Sequence, residues 1–282
     1  MAVKEDFQKP GDYILEGPML VGGSGEMYNF DQMVQEVNIY QDLDTPYMSG
    51  SIFVIDAAGM AEQLPILGQE RILFSLRTPG SSHSVDFSDY HGAVYNVASR
   101  NPNGNRAHAY GINFTSMEAF TNTRKKISKS FKGSIAQMVA EILKDESMLG
   151  SPKTVNIDPT QNMRKYIAPN LRPFQIIQYL KEEAINEKGE PHYVFYENPD
   201  GFHFRSLDSL LGELRELSNE AVQEYKMQPP QGTREMGETM QSIQSLNIQD
   251  ATNTYTNCRA GMFNSTLFQH DILNKSVMKY EF

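Results

Sequence analysis

His83, Asp86, Asp89 and His91 form the densest set of metal-ligand side chains in the sequence. Imidazole nitrogen combined with carboxylate oxygen would suit zinc or manganese. If Val85 to Tyr90 is a strand, however, Asp86 and Asp89 point to opposite faces and the set does not converge. A polar hairpin is the preferred reading, so neither metal nor cofactor is expected. Val21-Gly22-Gly23-Ser24-Gly25-Glu26 has the glycines of a phosphate cradle but not the Gly-Lys-Ser/Thr ending of a P-loop. Glu26 also stands where a Gly-x-Ser-x-Gly nucleophile turn needs its last glycine. Glu182 and Glu183 are adjacent on a predicted helix and diverge by about 100°, which is wrong for two carboxylates flanking a glycosidic bond. No catalytic residue is assigned.

Arg124, Lys125, Lys126, Lys129 and Lys132 make a dense basic group that could attract a polyanion, an acidic partner or a passing DNA strand. The plainer reading is a solvated approach to a helix. These five residues are the candidate partner-contact patch. Tyr193, Phe195, Tyr196 and Phe202 could stack on sugar, but alternating strand faces suit them equally to a core, which is preferred. The sequence holds no tryptophan, so a carbohydrate platform would rest on tyrosine or phenylalanine.

A formal net charge of -10 and a pI near 5.1 argue against general or sequence-specific nucleic-acid binding, which needs a surplus of cations. The single cysteine, Cys258, can form no internal disulfide and fits assembly in a reducing cytosol. Charges and Pro10 occupy the place of a signal-peptide core. No stretch approaches the roughly 20 apolar residues of a membrane span, so membrane insertion is not expected.

Short runs rich in Val, Ile, Phe and Tyr recur from Phe30 to Thr115 between turn-like clusters, the spacing of a sandwich or barrel. Ser51 to Ile55 reads as a buried strand, Arg71 to Arg77 puts Ile72, Phe74 and Leu76 on one face, and Val85 to Ser99 and Ala107 to Thr115 continue the pattern around a hairpin tip at Asn101 to Asn105. Ala57 to Gln63 has room for about two helical turns before Pro65. The character changes near Thr121. Ser134 with Gln137 three residues on predicts a helix start, with Ile135, Val139, Ile142 and Leu143 as its apolar stripe. Pro173 opens a second helix toward Gly189. Tyr193 to Glu197 and Phe202 to Ser206 flank the turn residues Asn198-Pro199-Asp200-Gly201 and predict a hairpin. Residues 226–239 read as a linker, and Ile243 to Phe282 as returning strands that are either reduced or cut short.

The order of segments resembles the tail hub, or baseplate hub, family of long-tailed phages and the hub-like part of type VI secretion spike proteins. In the first half the resemblance lies in Val37-Asn38-Ile39-Tyr40, Pro46 to Ser51, Asp56, Leu64 to Glu70 and Ile72 to Leu76. In the second it lies in Phe131 to Ser134, Tyr166 to Asn170, Arg172-Pro173-Phe174, Phe195-Tyr196-Glu197 and Asp200 to Phe204. It spans about residues 30–210.

That resemblance implies a mixed, β-rich α+β fold of tube-type small β-barrels with an inserted α/β domain. Residues 1–120 would form the first barrel, 121–217 the insert, 218–240 a linker, and 241–282 the returning strands of a second, incomplete barrel. It implies no enzyme and no active site. The expected role is a structural virion protein, a homotrimeric hub that joins the tail tube to the central spike and lines the lumen. Its partners would be tube protein and spike, with tape measure and baseplate wedge proteins nearby, in a virion tail assembled in the host cytoplasm. The alternative is a tail-associated module that binds or hydrolyses cell-wall glycan.

Overall fold

The computed structural model describes residues 13–23, 25–60, 70–77, 84–88, 92–103, 107–161, 163–217, 225–227, 242–243, 245–247, 253–262 and 264–281. The chain divides into two units, Met1–Gln223 and Glu224–Phe282.

The first unit opens with β1 (Ile14–Val21), β2 (Met27–Asn29), a 3-10 turn at Asp31–Met33, β3 (Val34–Tyr40), β4 (Ser49–Asp56), β5 (Arg71–Arg77), β6 (Ser84–Asp86), β7 (Gly92–Asn103) and β8 (Ala107–Ser116). Their ladders form one antiparallel sheet in the order β2-β1-β5-β7-β8-β4-β3, with β6 beside β5. The path ends at β2 and β3, and among the described residues no ladder joins those ends. The β-rich reading therefore holds, while a closed barrel is not seen.

Alternation decides which side is inside. Ile52 and Val54 of β4, Ile72 and Phe74 of β5, and Tyr110, Ile112 and Phe114 of β8 are fully buried, each separated from the next by a residue on the other face. Such side chains stabilise by roughly 1.5–3 kcal/mol apiece when removed from water. Phe87 explains why the segment read as one strand, Val85 to Ser99, is interrupted. Its amide donates to the Phe74 carbonyl at 2.8 Å, and its ring stacks on Phe74 at 5.0 Å and meets Phe114 edge-on at 5.4 Å. Phe87 thus turns inward directly after β6. Gly50 is needed where β4 crosses the ring of Phe114, because a Cβ there would lie 2.4 Å from Phe114 and 2.5 Å from the Asn38 carbonyl.

After β8 comes α1 (Met117–Arg124), then β9 (Ser130–Ser134), α2 (Ile135–Lys144), β10 (Val155–Ile157), β11 (Met163–Ile167), α3 (Pro173–Glu183), β12 (Tyr193–Asn198), β13 (Gly201–Ser206) and α4 (Leu207–Leu217). The predicted helix starts hold. Gln137 N donates to Ser134 Oγ at 3.3 Å while Ser134 N donates to Gln137 Oε1 at 3.2 Å, a reciprocal cap. Pro173 is the first residue of α3. Helix α2 buries Ile135, Met138, Val139, Ile142 and Leu143 against α3 and the β10-β13-β12 sheet. The β12–β13 hairpin also holds, its turn fixed by Asn198 Oδ1, which accepts the amides of Asp200 and Gly201 at 2.9 and 3.2 Å. Gly201 has φ +131° and approaches the Thr154 carbonyl so closely that a Cβ would sit 2.2 Å from it. Only glycine lets β10 pair in parallel alongside that turn.

The two cores are separate. One, around Ile52, Phe74 and Phe114, belongs to the sheet; the other, around Ile142, Ile177 and Phe204, belongs to the α/β segment that follows β8, the part expected from the sequence as an insert.

In the second unit, Lys226–Met227 (β14) pairs in parallel with Ser242–Ile243 (β15); the rest of the predicted linker lies outside the described residues. The segment read as strands from Ile243 onward first forms α5 (Thr254–Arg259) and then the hairpin of β16 (Thr266–Asp271) and β17 (Ser276–Glu281).

Candidate assembly surfaces and the buried ionic junction

The five cations of the candidate patch are divided among different surroundings. Arg124, at the end of α1, lines a cleft with Gly22, Gly23, Glu70 and Arg71. Lys125 Nζ donates to the Glu146 carbonyl at 2.5 Å. Lys129 Nζ reaches Glu141 Oε1 at 2.6 Å, and that hydrogen bond holds the ammonium above the ordinary lysine range. Lys132 stands opposite Lys165 on the β9–β11 ladder, and Lys126 is exposed.

Of the metal-type side chains, Asp86 is described and accepts the Ser88 amide at 2.7 Å, while His83, Asp89 and His91 lie outside the described residues. Among the described residues no group of three or more His, Cys, Asp or Glu is placed to hold a metal. Of the glycine-rich segment, Gly22, Gly23, Gly25 and Glu26 lie between β1 and β2, with Gly22 N donating to Glu26 O at 2.8 Å. Glu182 and Glu183 are exposed on α3.

Tyr193, Phe195 and Phe202 belong to the insert core and have no face to offer a sugar. Burial first, then the Asp158 and Glu187 charges, push the Tyr193 hydroxyl up to about 12; it donates to the Pro159 carbonyl at 2.6 Å. Tyr196 lies flat on His203, centroids 4.9 Å apart. Burial holds His203 below its ordinary pKa.

Sequence reasoning did not find the group that joins sheet and insert. Lys153, in the loop after α2, places its ammonium 2.7 Å from Glu118 Oε2 on α1 and 2.5 Å from Glu197 Oε1 on β12. The side chains are 6%, 6% and 0% exposed, so all three charges are out of water. Ser151 Oγ donates to Glu118 Oε1 at 2.7 Å. The second oxygen of Glu197 accepts the Met48 amide at 2.8 Å and the Ser116 hydroxyl. Met48 in turn receives the Ser116 amide and the Thr115 hydroxyl on its carbonyl, each at 3.0 Å. The sheet thus contributes Met48 and Ser116, the helix that leaves it contributes Glu118, and the insert contributes Ser151, Lys153 and Glu197. Buried side-chain oxygens and nitrogens left without partners are absent among the described residues.

The electrostatics follow from that geometry. Burial alone would lower the Lys153 pKa, but the Glu197 and Glu118 charges outweigh it and the pKa is raised. Burial raises the Glu197 pKa, opposed by Lys153 and Ser116 and assisted by the like charge of Glu118. A bare pair of buried carboxylates would be untenable; one ammonium shared between them makes the junction stable.

The C-terminal hairpin is the opposite case, with apolar side chains left uncovered. Its register sets Leu267, Met278 and Tyr280 on one face and Phe268 and Val277 on the other, all exposed. At the tip, Asp271 Oδ1 accepts the amides of Leu273 and Asn274 at 2.9 and 3.1 Å, holding Ile272 and Leu273 outward at 79% and 94% exposure. No described helix is long and apolar enough to cross a membrane.

No family model matches the chain, and no curated protein matches it. Among solved structures, similarity is found to the 43 kDa tail protein of prophage MuSo2 from Shewanella oneidensis, at 13% identity, TM-score 0.43, covering 67% of this chain and 54% of that one. The prophage tail protein gp18 from Listeria monocytogenes EGD-e matches at 10% identity and TM-score 0.43 over 94% of this chain and 67% of that one. The E. coli c3393 protein, a type VI secretion component described as similar to T4 tail proteins gp27 and gp5, matches at 12% identity and TM-score 0.42 over 68% and 48%. The matched part amounts to about half the length of the MuSo2 and c3393 proteins. The chain's structural neighbours are thus phage tail proteins and type VI secretion components.

Proposed function

We propose that the chain is a non-enzymatic structural subunit of a long phage tail or a related contractile injection machine. Three copies form a hub ring that joins the tail tube to a central spike and lines the lumen. The partners are further copies, tube protein and spike, with tape measure and baseplate wedge proteins adjoining, in a virion tail assembled in the host cytoplasm. In this reading the β1–β8 sheet is the first tube-type barrel, residues 121–217 the insert, 218–240 a linker, and 241–282 part of a second barrel completed by neighbouring chains.

The observation that carries the reading is the β16–β17 hairpin. Two strands of six residues with apolar side chains exposed on both faces cannot hold themselves together in water. Further protein surface, from this chain or another, must cover them, and neighbouring copies in an assembly would supply it. The glycan-module alternative rested on Tyr193, Phe195, Tyr196 and Phe202, and three of these are core. The test is native mass spectrometry of the chain mixed with purified spike protein. Three copies bound to spike are expected; monomer alone at micromolar concentration with spike present contradicts the reading.

A further inference from the structure

An open cleft lies between the sheet and the segment that follows it. Where β4 starts, β8 ends and α3 begins, a cleft of about 520 Å³ is lined by Tyr47, Ser49, Tyr95, Phe120, Asn122 and Arg172, among others. Its size falls in the range of small-ligand sites.

The two tyrosines are presented to solvent by identifiable devices. Tyr95 sits in a β-bulge, where the β7–β8 register slips between Val94 and Asn96, and both Tyr95 and Asn96 are exposed there. Val94 is buried while Tyr95 is 52% exposed. Tyr47 is 37% exposed and precedes Met48, which is pinned into the ionic junction by Glu197, Ser116 and Thr115. One polar side chain is fixed by its own bond. Asn122 Oδ1 accepts the Phe174 amide at 2.9 Å, which orients its Nδ2 donors. Arg172 caps the start of α3, with its backbone amide held by Gln175 Oε1 at 3.1 Å. Among the described residues no carboxylate lines the cleft, in a chain whose net charge is -10.

Exposed aromatic faces combined with amide, hydroxyl and guanidinium donors form the chemistry that recognises a hydroxyl-rich ring. We propose that this cleft is a saccharide-binding site for one or two sugar rings, neutral or bearing a carboxylate that Arg172 would pair. Tyr47 and Tyr95 supply the stacking surfaces, and Asn122 and Ser49 bond to ring hydroxyls. The site differs from the middle-domain aromatics considered in the sequence, and it does not depend on the hub reading.

The test is calorimetric titration of the full chain with chitotetraose, cellotetraose and the disaccharide of N-acetylglucosamine and N-acetylmuramic acid. Saturable binding of at least one is expected. Tyr47→Ala and Tyr95→Ala should each weaken it by up to about tenfold, given the usual contribution of an aromatic contact. Tyr95→Phe keeps the ring and should keep affinity within about threefold. Tyr40→Ala, an exposed tyrosine outside the cleft, should change nothing. Arg172→Gln should erase any preference for the acid-bearing disaccharide. Unchanged thermal midpoints show that each variant is folded, and Tyr95→Phe serves if an alanine variant is not. The proposal is overturned if none of the three probes binds at millimolar concentration, or if binding survives both alanine variants. It is equally overturned if the alanine variants alter only sedimentation of the chain with its partners, which would make the cleft a protein interface.

Discussion

Replacing Lys153 with Met removes the one charge that Glu118 and Glu197 share while keeping most of the side-chain volume above Phe202, whose ring centre lies 5.7 Å from the ammonium. Two carboxylates would then face each other with side-chain exposures of 6% and 0%. Removing one partner of a buried ion pair costs roughly 3–5 kcal/mol, because the survivor stays desolvated and unpaired. With a urea dependence of about 2–3 kcal/mol per molar, the unfolding midpoint should fall by about 1–2.5 M. The loss has a pH signature. Without the cation, at least one carboxylate is driven further above its ordinary pKa, so the folded state binds a proton that the unfolded chain releases. Stability then rises as pH falls toward the ordinary glutamate value near 4.3. The deficit of Lys153→Met should therefore shrink between pH 8 and pH 5. The triple variant Lys153→Met, Glu118→Gln, Glu197→Gln removes every charge and should recover most of the loss. Urea titrations followed by circular dichroism measure all of this. A Lys153→Met midpoint within about 0.2 M of the parent, equivalent to roughly 0.5 kcal/mol, would refute the view that this cluster holds sheet and insert together.

The parent should lose stability in alkali. The raised Lys153 pKa means that the contribution of its charged form is complete below the ordinary lysine value near 10.4 and fades as pH climbs through the folded value; urea midpoints between pH 9 and 11.5 should fall more steeply than in the triple variant. Ser134→Ala removes the cap of α2 and should cost about 0.5–2 kcal/mol by denaturant unfolding. Gly201→Ala forces a Cβ against the Thr154 carbonyl in a backbone region that favours glycine, and should cost more than about 1 kcal/mol, visible as a lower thermal midpoint. Reversing Lys125, Lys126 and Lys129 to Glu should leave the chain able to enter assembled particles, since Lys125 and Lys129 already serve contacts within the insert; a folded triple variant excluded from particles would make that surface a contact.

Local signals were readable where one residue type dictates one backbone choice. Ser134 with Gln137, Pro173, and Asn198 to Gly201 each mark a boundary through the bonds they make or cannot make, and the structure places boundaries there. Alternation along β5 likewise revealed which face is inside, with Ile72 and Phe74 buried as expected. Helix α1 was not legible, because MEAFTNTR carries no apolar stripe and is held by what it packs against. Strands β9 and β11, SFKGS and MRKYI, are mostly polar, pair with each other, and give the core only Phe131 and the half-buried Tyr166. The ionic junction was the least visible of all. Lys153 is 35 residues from Glu118 and 44 from Glu197, so no local spacing joins them. Only the β10–β13 pairing and the return of the insert onto Met48 and Ser116 bring them together. Phe87 was likewise hidden within an apparently continuous strand, since only its packing on Phe74 and Phe114 reveals the break.

Electron microscopy of the chain reconstituted with tube and spike proteins tests most directly the proposed ring of three that joins them. Threefold density for this chain, seated between a sixfold tube and a central needle, is the predicted result. A single copy bound to neither would contradict it.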